Sequence, residues 1–149
     1  SVVQIFDNDG RFLRKFGSQG GGDGQFSHAT GITVDGQGQI YVADYTNKRV
    51  QKFSNDGDFL LAWETGSDLN IQGTPEGLAV DELGRVYATD YALGRIEVFT
   101  GDGELLAVWG AKGSDDGEFR APVAIALDQA GNAYVSDQSN NTILKFSLR

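Results

Sequence analysis

Three aspartates, each closing a short apolar run, recur at nearly constant intervals along this chain. The runs read IYVAD, VYATD and AYVSD, and their last residues, Asp44, Asp90 and Asp137, lie 46 and 47 residues apart. A second aspartate precedes each of them by nine residues, and a phenylalanine follows each by nine. A period of this length indicates a repeat protein, in which each unit buries its apolar face against its neighbours.

Each unit contains four segments of strand character separated by turn residues. The first segments, GITVD, GLAVD and AIALD, are almost wholly apolar, which predicts an inner strand covered on both faces. The second segments are the runs that end in Asp44, Asp90 and Asp137. The third segments, RVQKF, RIEVF and TILKF, alternate in polarity, and VVQIF at 2–6 is a further copy of them. An Asp-Gly turn then leads to a fourth segment. Phe16, Trp63 and Trp109 share one position there, so we expect the two tryptophans to pack between units rather than to bind ligand.

Four antiparallel strands in a unit of this length predict an all-β fold of β-propeller blades. We divide the single domain into the end of a blade (1–23) and three repeats (24–66, 67–110 and 111–149), the last without its fourth strand. The only change of length between repeats falls in the connections 17–28, 64–74 and 110–121. We therefore expect these connections at the surface, between blades.

The pattern resembles the NHL repeat family. The stretches GQFSHATGITVD, IYVADYTNKRVQKF and NDGDFL follow the order of the family's motif, and the match covers essentially the whole chain. The resemblance implies an NHL-type propeller, usually six-bladed. It also implies that the aspartate ending the second strand pairs with an arginine five residues later, as Asp44 with Arg49 and Asp90 with Arg95.

Some residues depart from this pattern. Thr142 replaces the arginine in the third repeat, so Asp137 has no such partner there, and Leu93 replaces an asparagine in the second. The second repeat also lacks the phenylalanine that should precede Pro75, and we expect Ile71 to take its place.

A closed propeller needs at least four blades, and this chain supplies about three. The ring is therefore incomplete, and exposed sheet flanks invite association. Either the remaining blades of a longer chain or a second copy is expected to complete it, as half of a six-bladed ring. Two copies would bring two third strands too many, which favours the longer chain.

Composition limits the chemistry. The net charge is −9, with 21 acidic and 12 basic residues, whereas nucleic-acid binders usually show a basic face. The chain has no cysteine and one histidine, so neither a disulfide nor a multi-histidine metal site can form within it. No apolar run is long enough for a membrane span. High glycine and aspartate content without Cys or Met favours a bacterial exported or extracellular protein.

Catalytic and metal motifs are not found. DNDG at 7–10 and SDDGE at 114–118 lack the spacing of a calcium loop and are interpreted as turns. No nucleophile elbow, P-loop or HExxH motif occurs. Some lyases and hydrolases of the resembling fold use histidines and a metal in the central channel, and this chain lacks those ligands. We therefore expect no cofactor, no metal and no enzymatic activity.

The links after the second strands and the connections between blades are expected to share one face, where propellers usually bind partners. A protein or a polar ligand such as a glycan is the expected partner, and the alternatives are RNA recognition and a fragment of a propeller lyase or hydrolase. Asp44, Asp90 and Asp137 are expected to be structural, and Tyr45 and Tyr91 either bind ligand or cover neighbouring blades. The candidate ligand residues are His28, Tyr45, Thr46, Asn47, Tyr91, Leu93, Gln138 and Asn140.

Overall fold

The repeats form small β-sheets in a computed structural model that describes residues 1–147. Within these residues, no helix is long and apolar enough to cross a membrane, and a single-turn 3-10 helix spans Ser67–Leu69. In chain order the strands are β1 (Val3–Phe6), β2 (Phe12–Phe16), β3 (Ser18–Gln19), β4 (Gln25–Phe26), β5 (Ala29–Val34), β6 (Ile40–Asp44), β7 (Arg49–Phe53), β8 (Phe59–Glu64), β9 (Pro75–Val80), β10 (Val86–Asp90), β11 (Arg95–Phe99), β12 (Leu105–Trp109), β13 (Pro122–Leu127), β14 (Asn132–Asp137) and β15 (Thr142–Ser147).

Strand pairing confirms the predicted all-β propeller fold. Strands β5–β8 form one four-stranded antiparallel sheet (blade 1) and β9–β12 form a second (blade 2). Strands β13–β15 form a three-stranded sheet (blade 3), and β1 pairs with β2 in an N-terminal sheet. The parallel pair of β3 and β4 lies within the connection 17–28.

The register is the same in every blade. Each aspartate that ends a second strand lies opposite the residue that begins the third, as Asp44 lies opposite Arg49. The equivalent pairs are Asp90 with Arg95 and Asp137 with Thr142. Because side chains alternate along a strand, this register brings each repeat position to the same face of its sheet.

Aromatic pairs join neighbouring blades. The ring centroid of Trp63 in blade 1 lies 5.8 Å from that of Phe99 in blade 2. The same repeat positions meet at the other two junctions, Phe16 with Phe53 at 4.9 Å and Trp109 with Phe146 at 6.0 Å. Both tryptophans therefore belong to the packing between blades, where such aromatic contacts stabilise by more than their buried area.

A tyrosine–aspartate bond recurs at the turn after each first strand. The Tyr87 hydroxyl donates to Asp81 Oδ2 at 3.0 Å, while Asp81 Oδ1 accepts the backbone N–H groups of Leu83 and Arg85. The equivalent bonds run from Tyr41 to Asp35 at 3.0 Å and from Tyr134 to Asp128 at 3.1 Å. Burial, aided by the bond to the carboxylate, raises the pKa of Tyr87 to about 12. One carboxylate thus holds both the turn and the buried phenol.

The first strands of the three blades approach each other closely. A Cβ atom on Gly31 would lie 2.5 Å from the carbonyl oxygen of Glu76, and one on Gly77 would collide with that of Val123. Real Cβ atoms do not tolerate such distances. Glycine at these two positions therefore sets how closely β5, β9 and β13 pack.

The predicted burial of both faces of the first strand is wrong for blade 1. Ile32 in β5 is 52% exposed, whereas its counterparts Leu78 and Ile125 are 7% and 8% exposed. Val34 is 53% exposed, whereas its counterparts Val80 and Leu127 are half-buried. Within the described residues, the N-terminal sheet has only two strands, and neither covers the inner part of blade 1. Other large apolar side chains are exposed at the two ends of the row of blades, namely Phe6, Phe12 and Ile143.

Candidate ligand-binding face

Two sets of loops lie side by side at one end of the blades. They are the links after the second strands (45–48, 91–94 and 138–141) and the inter-blade connections (17–28, 64–74 and 110–121), and together we name them the loop face. The backbone N–H of each link donates to the preceding connection: Tyr45 to His28 O at 2.9 Å, Tyr91 to Thr74 O at 2.9 Å, and Gln138 to Ala121 O at 3.0 Å. The loop face is therefore fixed to the sheets by backbone bonds.

The aspartates that end the second strands accept hydrogen bonds from these loops. Asp137 is 2% exposed, and it accepts backbone N–H groups from Arg120 at 2.7 Å, from Ala121 at 3.1 Å and from Asn140 at 3.1 Å. Burial alone would raise its pKa, but these backbone donors outweigh burial and lower it. Backbone N–H groups thus take the place of the missing arginine as partners of the Asp137 carboxylate.

The first two aspartates hold their loops in different ways. Asp44 accepts the Ser27 N–H at 3.0 Å and the Asn47 side chain at 2.7 Å, and it pairs with Arg49 at 3.3 Å, as the resemblance implied. Asp90 accepts backbone N–H groups from Thr74 and Leu93.

The expected pair of Asp90 and Arg95 is wrong. The Arg95 guanidinium bonds instead to Glu97, at 2.9 Å from Nε to Oε1, and to Asp68, at 3.0 Å from Nη1 to Oδ2. Glu97 is fully buried and also accepts the Gly66 N–H. The arginine therefore pairs with these two carboxylates rather than with Asp90. We name Asp68, Arg95 and Glu97 the polar clasp.

Ile71 does not replace the phenylalanine that blade 2 lacks. It is 49% exposed, whereas Phe26 and Phe119, the residues expected to be its equivalents, are 0% exposed. The expected substitution is therefore wrong, and the interior of this connection is occupied by the polar clasp. The connections were also expected at the surface, yet in blades 1 and 3 each buries one aromatic ring.

Three aromatic rings form a chain across the loop face. The ring centroid of Tyr45 lies 5.5 Å from that of His28 and 6.2 Å from that of Tyr91, both edge to face. His28 is exposed and the two tyrosines are half-buried. The Lys48 ammonium lies 5.1 Å from the centre of the Tyr45 ring and donates to Thr74 Oγ1 at 2.7 Å. The central ring therefore has an ammonium group over its face.

Glu76 adds a carboxyl group next to this chain. Its backbone carbonyl accepts the Thr30 hydroxyl at 2.9 Å. Burial raises the pKa of its carboxyl, and the nearby His28 acts in the opposite direction. The centre of the loop face thus combines aromatic rings with an ammonium and a carboxyl group.

The remaining candidate residues divide into two groups. Asn47 and Asn140 direct their amides inward, to the carbonyl oxygens of Gly20 at 2.9 Å and Gly113 at 3.0 Å, so these amides fasten the loops. Thr46 and Gln138 are exposed, and Leu93 is half-buried.

Sequence reasoning missed Lys48, Glu76 and the polar clasp. Of these, only Glu97 left a trace in the sequence, since it occupies a third-strand position that is Gln51 in blade 1 and Leu144 in blade 3. Among residues 1–147, no group of three or more His, Cys, Asp or Glu side chains is arranged to hold a metal ion.

One part of the chain matches a known repeat family. Residues 26–53 match the NHL repeat family. Protein lin-41 of Caenorhabditis elegans is 49% identical over 45 residues, which are 30% of this chain and 4% of that protein. Human NHL repeat-containing protein 3 is 37% identical over 67 residues, which are 41% of this chain and 19% of that protein. The chain thus spans less than a fifth of either relative.

Solved structures share the fold. A catalytically inactive virginiamycin B lyase from Staphylococcus aureus, solved with quinupristin, superposes with a TM-score of 0.63 at 16% identity, over 98% of this chain and 48% of that one. A gluconolactonase from Xanthomonas campestris gives a TM-score of 0.63 at 20% identity, over 90% and 40%. The chain thus spans about half of the first and less than half of the second.

At these identities the structural likeness shows the fold alone, and that fold is a β-propeller. The sequence comparisons add an NHL repeat at residues 26–53 and relatives that include human NHL repeat-containing protein 3. The chain therefore contains an NHL repeat within a β-propeller fold.

Proposed function

We propose that this chain is a non-catalytic binding or scaffolding module that recognises a protein or a glycan through its loop face. The observation that carries the proposal is the aromatic chain of His28, Tyr45 and Tyr91, with ring centroids 5.5 and 6.2 Å apart. The two tyrosines lie on the links of the neighbouring blades 1 and 2, and all three rings remain at least partly open to solvent.

Rigid mounting makes these rings suitable for recognition. The Tyr45 and Tyr91 backbones are bonded to the neighbouring connections, and Asp44 and Asp90 hold the same loops. Tyrosine offers a large contact area and a hydroxyl at a small cost in conformational entropy. Functional residues commonly lie on loops that a rigid scaffold positions.

Charge bears on the choice of ligand. The net charge of −9 disfavours nucleic acid, which counts against RNA recognition. Lys48 and Glu76 supply a donor and an acceptor beside the rings, as polar contacts with a peptide or a sugar require.

A paired tyrosine substitution tests the proposal. The chain would be screened against a glycan array and a phage-displayed library of random peptides, and the affinity of each hit would be measured for Tyr45→Ser/Tyr91→Ser. We expect a loss of roughly tenfold or more, as each 1.4 kcal/mol of lost contact gives, at an unchanged unfolding temperature. Leu106→Ser, at a residue 50% exposed on the outer strand β12, is the matched control.

The competing interpretation makes the opposite prediction. If the two tyrosines only cover neighbouring blades, the double variant lowers the unfolding temperature and binds every hit as tightly as the parent chain. That result, or a screen without hits, would exclude the loop face as the ligand site.

A further inference from the structure

The connection 64–74 exposes two aliphatic side chains on the loop face. Leu69 is 51% exposed and Ile71 is 49% exposed. In the connections before blades 1 and 3, the apolar side chain is Phe26 or Phe119, and each is 0% exposed. The same part of the repeat therefore faces the core in two blades and the solvent in one.

This exposure belongs to an ordered loop. The Leu69 N–H donates to Gly66 O at 3.1 Å, and the Gly73 N–H donates to Thr65 O at 2.9 Å. A Cβ atom on Gly73 would collide with the Asp90 carboxylate, so the base of the loop closes tightly on blade 2. A loop backbone held in place before binding loses little entropy when a partner binds.

The polar clasp holds this loop at an energetic cost. Glu97 is 0% exposed and Arg95 is 6% exposed, and a buried ion pair rarely stabilises a fold more than apolar packing does. Blade 3 has Leu144 at the position of Glu97. The Gly66 N–H bonds to both Glu97 oxygens, and Arg95 bonds to Asp68 in the loop. The clasp therefore shapes the loop that carries Leu69 and Ile71.

We propose that Leu69 and Ile71, together with Tyr91 on the adjoining link, form an anchor site for a protein segment with apolar side chains flanked by Lys or Arg. The Tyr91 N–H donates to the Thr74 carbonyl at 2.9 Å, which joins its link to the end of this loop. The proposal rests on the proposed function of the loop face, and it narrows the ligand class.

Two features define the partner. Aliphatic side chains gain affinity by burying apolar area, which a peptide's side chains offer and a sugar's hydroxyls do not. The connection 64–74 carries Glu64 and Asp68 and no basic residue. Asp68 is already paired with Arg95, so among the residues that the structure describes the exposed Glu64 supplies the unpaired negative charge of this loop. In a chain of net charge −9, this favours basic residues on the partner, since complementary charge speeds and orients association.

The test uses the whole chain and a phage-displayed library of random peptides. Enriched peptides are synthesised, and their affinities are measured by fluorescence polarisation for the parent chain and for Leu69→Ser/Ile71→Ser. We expect enriched peptides to combine aliphatic or aromatic residues with Lys or Arg, and to lose roughly tenfold or more in affinity for the variant. The control is Leu83→Ser, an equivalent substitution at a leucine that is 79% exposed and lies outside the loop face.

Each contrary result has a defined meaning. Peptides that depend on Tyr45 and Tyr91 but bind Leu69→Ser/Ile71→Ser normally would overturn this inference and leave the proposed function standing. Peptides that depend on neither pair, or a library without enriched peptides, would overturn the inference, and hits confined to a glycan array would do the same. If the double variant unfolds at a lower temperature, Ile71→Lys provides the decision, because a lysine there must repel a basic segment.

Discussion

The connections between blades fill the space between the loop and the blade in two different ways. Before blades 1 and 3, a phenylalanine fills the space beneath the loop, and its ring centroid lies 5.6 Å from the next aromatic ring in both cases, Phe26 to Phe53 and Phe119 to Phe146. Before blade 2, the polar clasp fills that space. The connections before blades 1 and 3 thus bury an apolar ring, whereas the connection before blade 2 buries charged groups.

The third strand changes together with the loop. Under Phe26, the side chain of Gln51 donates to Gln25 O at 2.7 Å and accepts from Gly24 N at 3.0 Å. In blade 2, Glu97 faces the Gly66 N–H. The comparison teaches that a missing phenylalanine in a repeat need not leave a cavity, because a charged residue on the neighbouring strand can reorganise the loop. The apolar residues of that loop are then free to face outward.

The largest expected effect comes from removing the phenylalanine. Phe26→Ala should lower the free energy of unfolding by roughly 3–5 kcal/mol, as loss of a fully buried aromatic ring does. Ile71→Ala should cost less than about 1 kcal/mol, because that side chain is half-exposed. Urea denaturation of both variants measures the difference. Equal losses of unfolding free energy would mean that Ile71 fills the core as the phenylalanine does. Phe119→Ala repeats the measurement on the connection before blade 3.

Substituting Arg95 should measure how much the polar clasp depends on its arginine for stability. Arg95→Met leaves Glu97 fully buried without its cation, and we expect a loss of about 3 kcal/mol at neutral pH. Arg49→Met should cost less, about 1–2 kcal/mol, because Asp44 keeps its bonds to Ser27 and Asn47. The same denaturation measurement ranks the two variants. A larger cost for Arg49→Met would show that the polar clasp is not essential to blade 2.

The repeat spacing made the fold predictable. Constant intervals between aspartates, tyrosines and aromatics follow from strands that keep one register, and insertions are tolerated only in loops. The role of Arg95 was not predictable by the same reasoning, because its partner depends on which side chain fills the space under the loop. Three substitutions act together there, namely Glu97 on the third strand, Asp68 in the loop and the missing phenylalanine. In an alignment of the repeats, each of these three differences looks like ordinary sequence variation, because the alignment does not show that they contact one another.

The smallest expected effect is a difference in pH dependence between the two kinds of carboxylate. Burial raises the pKa of Glu97, although Arg95 and the Gly66 N–H act in the opposite direction. The folded state therefore binds this proton more tightly than the unfolded state does. Its contribution to stability is complete below the ordinary value of 4.5 and is lost as the pH rises through the folded pKa. Asp137 behaves in the opposite way, because backbone donors lower its pKa below 3.8. Its contribution is present above that value and is lost as the pH falls through the folded pKa.

Two amide variants separate these contributions. Glu97→Gln should reduce the slope of stability against pH above 4.5, and Asp137→Asn should reduce it below 3.8, each leaving the other range unchanged. Free energies of unfolding measured in urea across the pH range test both. A Glu97→Gln variant with the parent's slope above 4.5 would show that this carboxyl keeps an ordinary pKa. In that case Arg95 and the Gly66 N–H together fully offset the burial of the charged carboxylate.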